Sequence, residues 1–523
     1  MLKKHPFYIS TAIAYTSAIP HLGNVYEIIL ADAIARYKKM KGFDVYFQTG
    51  TDEHGQKIEA NALANGLTPA AYASQISNEV ERIYKAVDAD FDKFIRTTDE
   101  THIKLVQKIF EKLYKQGDIY LGQYSGWYSQ SDEAFILESE LIDGKGPNGQ
   151  EVVWTSEEAY FFKISKYQKQ LLTHIKEYPN YIIPESRKNE MINNFLTNTV
   201  PDLCVSRTSF KWGIPVSFDK KHVIYVWIDA LCNYITGLDY DPNRSIEEQS
   251  LQFKKFWPCD LHLIGKDILR FHTIYWPAIL FALGLKQPKT ILGHPWILFN
   301  KSKMSKSTAN VVYVDDILKH FAVDSLRYFV LHEIPYAQDG NMTYDLLIER
   351  HNSDLCNTLG NLVNRSIGMA NKYNQGNIKK PTSMNAIFEI NLPTIAAECS
   401  LQYEKAMDIY KVGDAIGYIL DLARSANKFI DISMPWEVFK SGDSEKINYI
   451  LFNLFATIKV INTLLLPIIP QTALKINEQC NYGQLQYGDT PFVSLHDFSV
   501  GQASVLFERY DIEKKLKEIV EKP

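Results

Sequence analysis

The sequence predicts an α/β half built on a parallel sheet, followed by an all-α half. Three observations lead there. Residues 7–50 read strand, helix, strand. Residues 118–215 change to short aromatic strands and turns. Beyond residue 351, strand signals nearly vanish and apolar residues recur at helical spacing. The chain has 523 residues; at about 100–200 residues per domain, that is room for about three or four domains and a large core.

In order, FYISTAI (7–13) is a strand, and a loop with Pro20 follows it. His21-Leu22-Gly23-Asn24 opens a helix that runs to about Lys41, with Gly42 as its stop. DVYFQTG (44–50) is a second strand ending in the polar loop TDEHG (51–55). Such a βαβ unit implies a parallel sheet with sites at its carboxyl edge. Residues 56–115 read as helices. An inserted α+β subdomain occupies 118–215, with a helical pattern near 165–200. VIYVWIDAL (223–231) resumes strand-then-helix character. DLHLIGKD (260–267) and TILGHPWIL (290–298) are further strands, separated by the helix HTIYWPAILFALG.

The formal charge of −5 rules out a simple polycationic nucleic-acid binder. Its distribution says more. Residues 268–314 hold no acid and carry Arg270, Lys286, Lys289, Lys301, Lys303 and Lys306, and residues 350–381 set five basic residues against Asp354 alone. Either segment suits an anionic ligand or a solvated face. The six cysteines form no CxxC, which removes a zinc knuckle and predicts free, mostly buried thiols in a reducing compartment. Lys3, Lys4 and the stretch Phe7–Ile19 mimic a signal peptide, but Ser10, Thr11, Thr16 and Ser17 favour a buried first strand. No run approaches the ~18 apolar residues of a membrane span.

Gly144-Lys145-Gly146-Pro147-Asn148-Gly149 satisfies G-x-G-x-x-G, yet strand-like EVVW follows it where a dinucleotide site needs a helix, so a turn is expected. HLGN at a helix start places the helix dipole and free amides where phosphate is attracted. His21 and Asn24 add donors there, and Gly23 lets a flat base approach. Taken alone, it is equally an ordinary helix start. Lys303-Met304-Ser305-Lys306-Ser307 puts two ammonium groups three residues apart, able to clamp a polyphosphate or simply to form a surface loop.

Together, HLGN and KMSKS resemble the two signatures of class I aminoacyl-tRNA synthetases. FYISTAIAY, GTDEHG, EEAYFF, SRTSFKWGIPV, YVWIDAL, IGKDILRFH and NLVNR look like the methionyl-tRNA synthetases, over essentially the whole chain. The resemblance implies a Rossmann-type catalytic domain (1–117 and 216–292), a connective insertion (118–215), a KMSKS-bearing stem-contact segment (293–350) and a helical-bundle anticodon-binding domain (351–523). It implies that methionine is activated with ATP and Mg²⁺ and transferred to tRNA(Met), initiator included. Asp52 would hold the α-ammonium. Ile13, Tyr15, Val226, Trp227, Ala230, Leu231, Tyr234, Ile268 and His272 would line the pocket, with the Tyr234 hydroxyl and the Ile13 amide facing the sulfur.

On the same basis, His21, Asn24, Lys303 and Lys306 would be catalytic. Gly23, Gly265, Asp267, Met304, Ser305 and Ser307 would join them in binding ATP. In DLCNTLGNLVNRSIG, Leu355, Leu359, Leu362 and Val363 form one stripe, and Asn357, Asn361 and Arg365 another. By resemblance, those last three with Pro435 and Trp436 read the CAU anticodon. Family members often carry zinc knuckles; here Ser129, Asp132, Gly146 and Gly149 stand at those places, so no metal is expected. A cytoplasmic monomer that spans no membrane is the remaining expectation. A different adenylate-forming transferase or a non-enzymatic tRNA-binding paralogue are the competing readings.

Overall fold

The computed structural model describes residues 4–129, 134–136, 138–147, 149–304 and 310–521. The chain divides into two compact units: Met1–Pro20 with Asp44–His294, and His21–Phe43 with Pro295–Pro523.

The first unit is built on a seven-stranded sheet in which every pairing is parallel. β1 (Pro6–Thr11) lies between β3 (Asp44–Asp52) and the strand Leu261–Gly265. β2 (Ala14–Tyr15) and β4 (Lys93–Arg96) also pair with β3. Ile291–His294 and Ile182–Ile183 extend the sheet beyond Leu261–Gly265. These central strands are buried along nearly their whole length. That is why they read as near-continuous apolar runs rather than alternating ones. Their few polar side chains are paired: the Thr11 hydroxyl donates to Thr49 at 2.7 Å, and Ser10 meets His262 at 2.6 Å.

Two strands differ from the sequence reading. β4 lies within a stretch read as helical, between the helices Pro69–Ala86 and Glu100–Lys115. Ile182–Ile183 lies near residues read as helical. At four and two residues, neither is long enough to show a period of two. Between the sheet strands stand two antiparallel sheets. One has Ile119–Ser129, Ala134–Ile136, Val152–Phe162 and Leu203–Cys204. The other has Ser206–Arg207, Pro215–Val216 and Asp219–Ile224. The glycine-rich run is a turn, as expected: Asp143 and Gly144 both take positive φ (51° and 76°) and close the bridge between Ile142 and Lys145. Asn148 lies outside the described residues.

The second unit contains α1 (Leu22–Met40) and the C-terminal helices, among them Val323–Glu333, Leu392–Asp408, Val412–Ser433 and Ser444–Leu465. Gly42 takes φ +88° just beyond α1, the stop expected of it. α1 is fastened by charge. Asp32 accepts at 2.6 Å from Arg327, whose fully buried guanidinium also donates to the Ile468 and Pro467 carbonyls. Lys38 meets Asp408 at 2.8 Å and Lys41 meets Glu404 at 2.6 Å. Of these pairs only Asp32–Arg327 is fully buried, and desolvation offsets much of its attraction.

One helix corrects the expectation that no run approaches a membrane span. Ser444–Leu465 is long and apolar enough for one. It is the core helix of the α half, with 89% of its apolar window buried. Helices packed on all sides are apolar all round. The all-α reading of this half has one exception, the two-residue strands Asn377–Ile378 and Phe498–Ser499. All six cysteines are free and five are buried.

Candidate active site

In the first unit, β1 pairs in one direction with β3 and in the other with Leu261–Gly265. This makes its carboxyl end a topological switch point, where open α/β sheets bind ligands. The sequence-predicted residues of this unit gather on the segments that end there. Ile13 and Tyr15 follow β1, Tyr15 pairs with Asp52 at the end of β3, and Gly265 ends its strand. Thr16 donates to the Asp52 carbonyl through both its amide (2.9 Å) and its hydroxyl (3.1 Å), which fixes the backbone under the buried carboxylate. Gly265 is required by Asp267: a Cβ there would come within 2.6 Å of the Asp267 carboxylate.

The helix Val226–Thr236 carries Val226, Trp227, Ala230, Leu231 and Tyr234 at spacings that share one face. Trp227 stacks on Phe271 with ring centroids 3.6 Å apart. Phe271 and His272 occupy a π-turn, Phe271–Tyr275, of the kind often kept at functional sites. Tyr234 and His272 meet at 2.7 Å between hydroxyl and Nε2, and His272 Nδ1 lies 2.9 Å from the Ile268 carbonyl. A carbonyl only accepts, so Nδ1 carries the ring hydrogen and Tyr234 donates to a bare Nε2. Burial pushes His272 down to about 4, against which the Ile268 carbonyl and Asp267 act only weakly. The cluster is therefore uncharged at neutral pH.

The second unit holds the other signatures. His21 caps α1: its Nδ1 accepts from the Gly23 amide at 3.0 Å, and its own amide donates to the Asn24 side-chain oxygen at 3.2 Å. The ring hydrogen thus sits on Nε2. Gly23 makes room for this cap, since a Cβ would meet the His21 ring at 2.9 Å. The expectation of free amides is not met. Leu22 donates to the Val312 carbonyl, Gly23 to His21 Nδ1, and Asn24 and Val25 to the His21 carbonyl. The donors left for an anion are side chains.

Lys303 ends a hairpin, Ile297–Phe299 with Ser302–Lys303, whose two-residue turn Asn300-Lys301 takes positive φ at both positions. Its exposed ammonium lies 3.8 Å from the centre of the Trp296 ring, and Met304 is buried beside it in sequence. Ser305, Lys306 and Ser307 lie outside the described residues, as does Asp132.

On the α half, Leu355, Leu359, Leu362 and Val363 are buried, while Asn357 and Asn361 are exposed and Arg365 half-exposed. Arg365 donates to Asp431 at 2.9 Å. Three residues on, Met434 takes a left-handed conformation and starts the helix Pro435–Lys440. It leaves Pro435 buried and Trp436 37% exposed, a large share for a tryptophan.

One cluster escaped the sequence reading. The Asp229 carboxylate accepts from His54 Nδ1 and His102 Nε2, both at 2.7 Å. Burial opposes ionisation of Asp229, yet the two histidines outweigh it and hold its carboxyl below the usual range. His54 and Asp229 stand in GTDEHG and YVWIDAL, but a separation of 175 residues carries no local signal.

A family model described as tRNA synthetases class I (M) matches residues 7–152 and 148–367. The methionine--tRNA ligase of Clostridium tetani is 47% identical over 99% of this chain and 80% of its own length. That of Enterococcus faecalis is 44% identical over all of this chain and 80% of its own. The structure of Mycobacterium tuberculosis methionyl-tRNA synthetase in complex with methionyl-adenylate superposes with a TM-score of 0.91 at 38% identity, covering 97% of this chain and 100% of that one. The chain belongs to the methionyl-tRNA synthetases. Family membership favours a methionyl-tRNA synthetase over a different adenylate-forming transferase.

The buried, neutral His272 has a consequence for this synthetase's acid stability. Between about pH 6.5 and 4 the unfolded chain takes up a proton there that the folded chain refuses, so stability is full above that window and falls within it. Urea unfolding at several pH values should show a shallower acid limb for His272→Gln, by up to ~1.4 kcal/mol per pH unit. Equal slopes would contradict the neutral assignment.

Proposed function

We propose that this chain activates L-methionine with ATP, forming methionyl-adenylate and pyrophosphate, and then esterifies the terminal ribose of tRNA(Met). The observation that carries the amino-acid assignment is a cluster with one buried carboxylate, Asp52, and otherwise apolar or uncharged groups. Methionine offers just such needs: an ammonium for a carboxylate, and a soft thioether for an aromatic, neutral wall. Tyr234 has committed its hydrogen to His272. The thioether's hydrogen bond is therefore assigned to the Ile13 amide, with the Tyr234 oxygen packing against the sulfur. Val226, Trp227, Ala230, Leu231 and Ile268 supply the rest of the wall.

The methionine carboxylate is already a nucleophile at neutral pH. It attacks the α-phosphorus in line and pyrophosphate leaves, so positioning and charge stabilisation are the whole of the catalysis. His21 Nε2–H and the Asn24 amide hydrogens are assigned to the developing phosphoryl charge, because the backbone amides around them are engaged. Lys303 and Lys306 are assigned to the leaving pyrophosphate, and Gly265 and Asp267 to the ribose. Among the described residues no three His, Cys, Asp or Glu converge as a metal cage. Mg²⁺ brought with the nucleotide would help Lys303 and Lys306 neutralise the departing pyrophosphate. Asn357, Asn361, Arg365, Pro435 and Trp436 are assigned to the anticodon, where exposed amides read base edges and Trp436 stacks.

Two variants separate the half-reactions. Lys306→Ala should lower methionine-dependent ATP–pyrophosphate exchange by ~100-fold or more while methionine binding persists. Trp436→Ala should leave exchange intact and weaken tRNA charging by about 1–3 kcal/mol. Normal exchange in the first, or equal losses of both activities in the second, would remove those assignments.

We also propose that the insertion holds no structural zinc, since Ser129, Gly146 and Gly149 offer no thiolate. Elemental analysis of dialysed protein should find far less than one zinc per chain; a full equivalent would refute this.

A further inference from the structure

The helix Val226–Thr236 has two working faces. One carries the residues assigned to the methionine side chain. The other is a buried polar stripe of Asp229, Asn233 and Thr236, at helical spacing. Two members of that stripe, Asp229 and Asn233, are bonded to the strand and loop that carry Asp52, and Thr236 is tied to Asp229 through His102. Asn233 accepts through its side-chain oxygen (2.9 Å) and its carbonyl (3.1 Å) from Gln48, which lies on β3, the strand that ends at Asp52. Asp229 accepts from His54, two residues beyond Asp52. Its second oxygen accepts from His102, whose Nδ1 meets Thr236 at 2.7 Å, so one imidazole clamps the helix at two points about two turns apart.

The partners are held in turn. Trp212 donates its indole hydrogen to the Glu53 carbonyl at 2.6 Å and lies 5.3 Å from the His54 ring, centre to centre. Arg96 grips the Glu53 carboxylate with two hydrogen bonds, 2.6 and 2.8 Å. Gly237 has no room for a side chain: a Cβ would come within about 2 Å of the Gln48 side-chain oxygen.

We infer that Asp229 is a positioning residue for amino-acid selection. Through its two histidines it sets the span between the Asp52 carboxylate and the side-chain wall of helix Val226–Thr236. It is buried and touches no substrate; it acts as the ruler for side-chain length. The inference rests on the proposed roles of Asp52 and the wall residues. A single carboxylate suits the task because it can receive two N–H donors from opposite sides, and an unpaired buried charge would be costly if either left. A pocket lined only by apolar contacts discriminates one methylene weakly, so a fixed span between its two ends adds selectivity that contacts alone cannot.

The test is ATP–pyrophosphate exchange by the full chain, with methionine, S-methylcysteine (one methylene shorter) and ethionine (one longer). Asp229→Ala should raise the methionine KM by about tenfold or more while the ATP KM stays within about twofold, and should narrow the preference for methionine over both analogues. Asp229→Asn should restore most of both. An amide can accept from one histidine and donate to the other in its alternative tautomer. A folded Asp229→Ala with unchanged methionine KM and preference would overturn the inference. So would an Asp229→Asn as damaged as the alanine variant, which would mean that charge rather than position is at work.

Should Asp229→Ala fail to fold, Thr236→Val decides. It removes one anchor of His102 and keeps Asp229. A raised methionine KM at constant ATP KM supports the ruler, and unchanged values refute it. Asp52→Ala, assayed alongside, separates the two levels: a normal methionine KM there would sink the site assignment itself, whatever Asp229 does.

Discussion

A hydrogen bond between two uncharged side chains, Tyr234 to His272, sets the character of the first unit's site. It exists because burial keeps His272 neutral and the Ile268 carbonyl fixes its tautomer. A charged imidazole there would call for an anionic side chain in the ligand. A neutral one, walled by Trp227 stacked on Phe271, suits a polarizable group without charge. Asp52, buried at the end of β3, is the group proposed to meet the ligand's ammonium. The parallel sheet brings these parts together, since β1, β3 and Leu261–Gly265 all end at the switch point.

The anion contacts proposed for the second unit use a different device. The first turn of α1 uses its own amides for capping and for Val312, so the dipole remains but the backbone donors are occupied. The donors proposed for that contact are therefore side chains: His21 with its hydrogen on Nε2, Asn24, and Lys303 at the end of a tightly turned hairpin.

Much of this was legible in the amino-acid sequence because it is local. The βαβ start, the helix start at HLGN, the stop at Gly42, the turn at Gly144 and the buried leucine stripe of residues 355–363 each follow from neighbours within a few positions. What stayed hidden is non-local or too short. Ile182–Ile183 joins the sheet through two residues. His54 and Asp229 meet across 175 positions, and nothing near either one announces the other. The occupied Leu22 amide of α1 depends on Val312, far along the chain. For the apolar helix Ser444–Leu465, composition alone does not tell a core from a membrane, and its burial does.

The matched family names the amino acid, and the neutral cluster around Tyr234 and His272 gives a physical reason for it. Pyrophosphate exchange across all twenty amino acids tests that directly. Methionine should support exchange with the highest kcat/KM, with leucine and isoleucine trailing by about two orders of magnitude or more. Faster exchange with a charged or a β-branched amino acid, or none with methionine, would contradict the assignment.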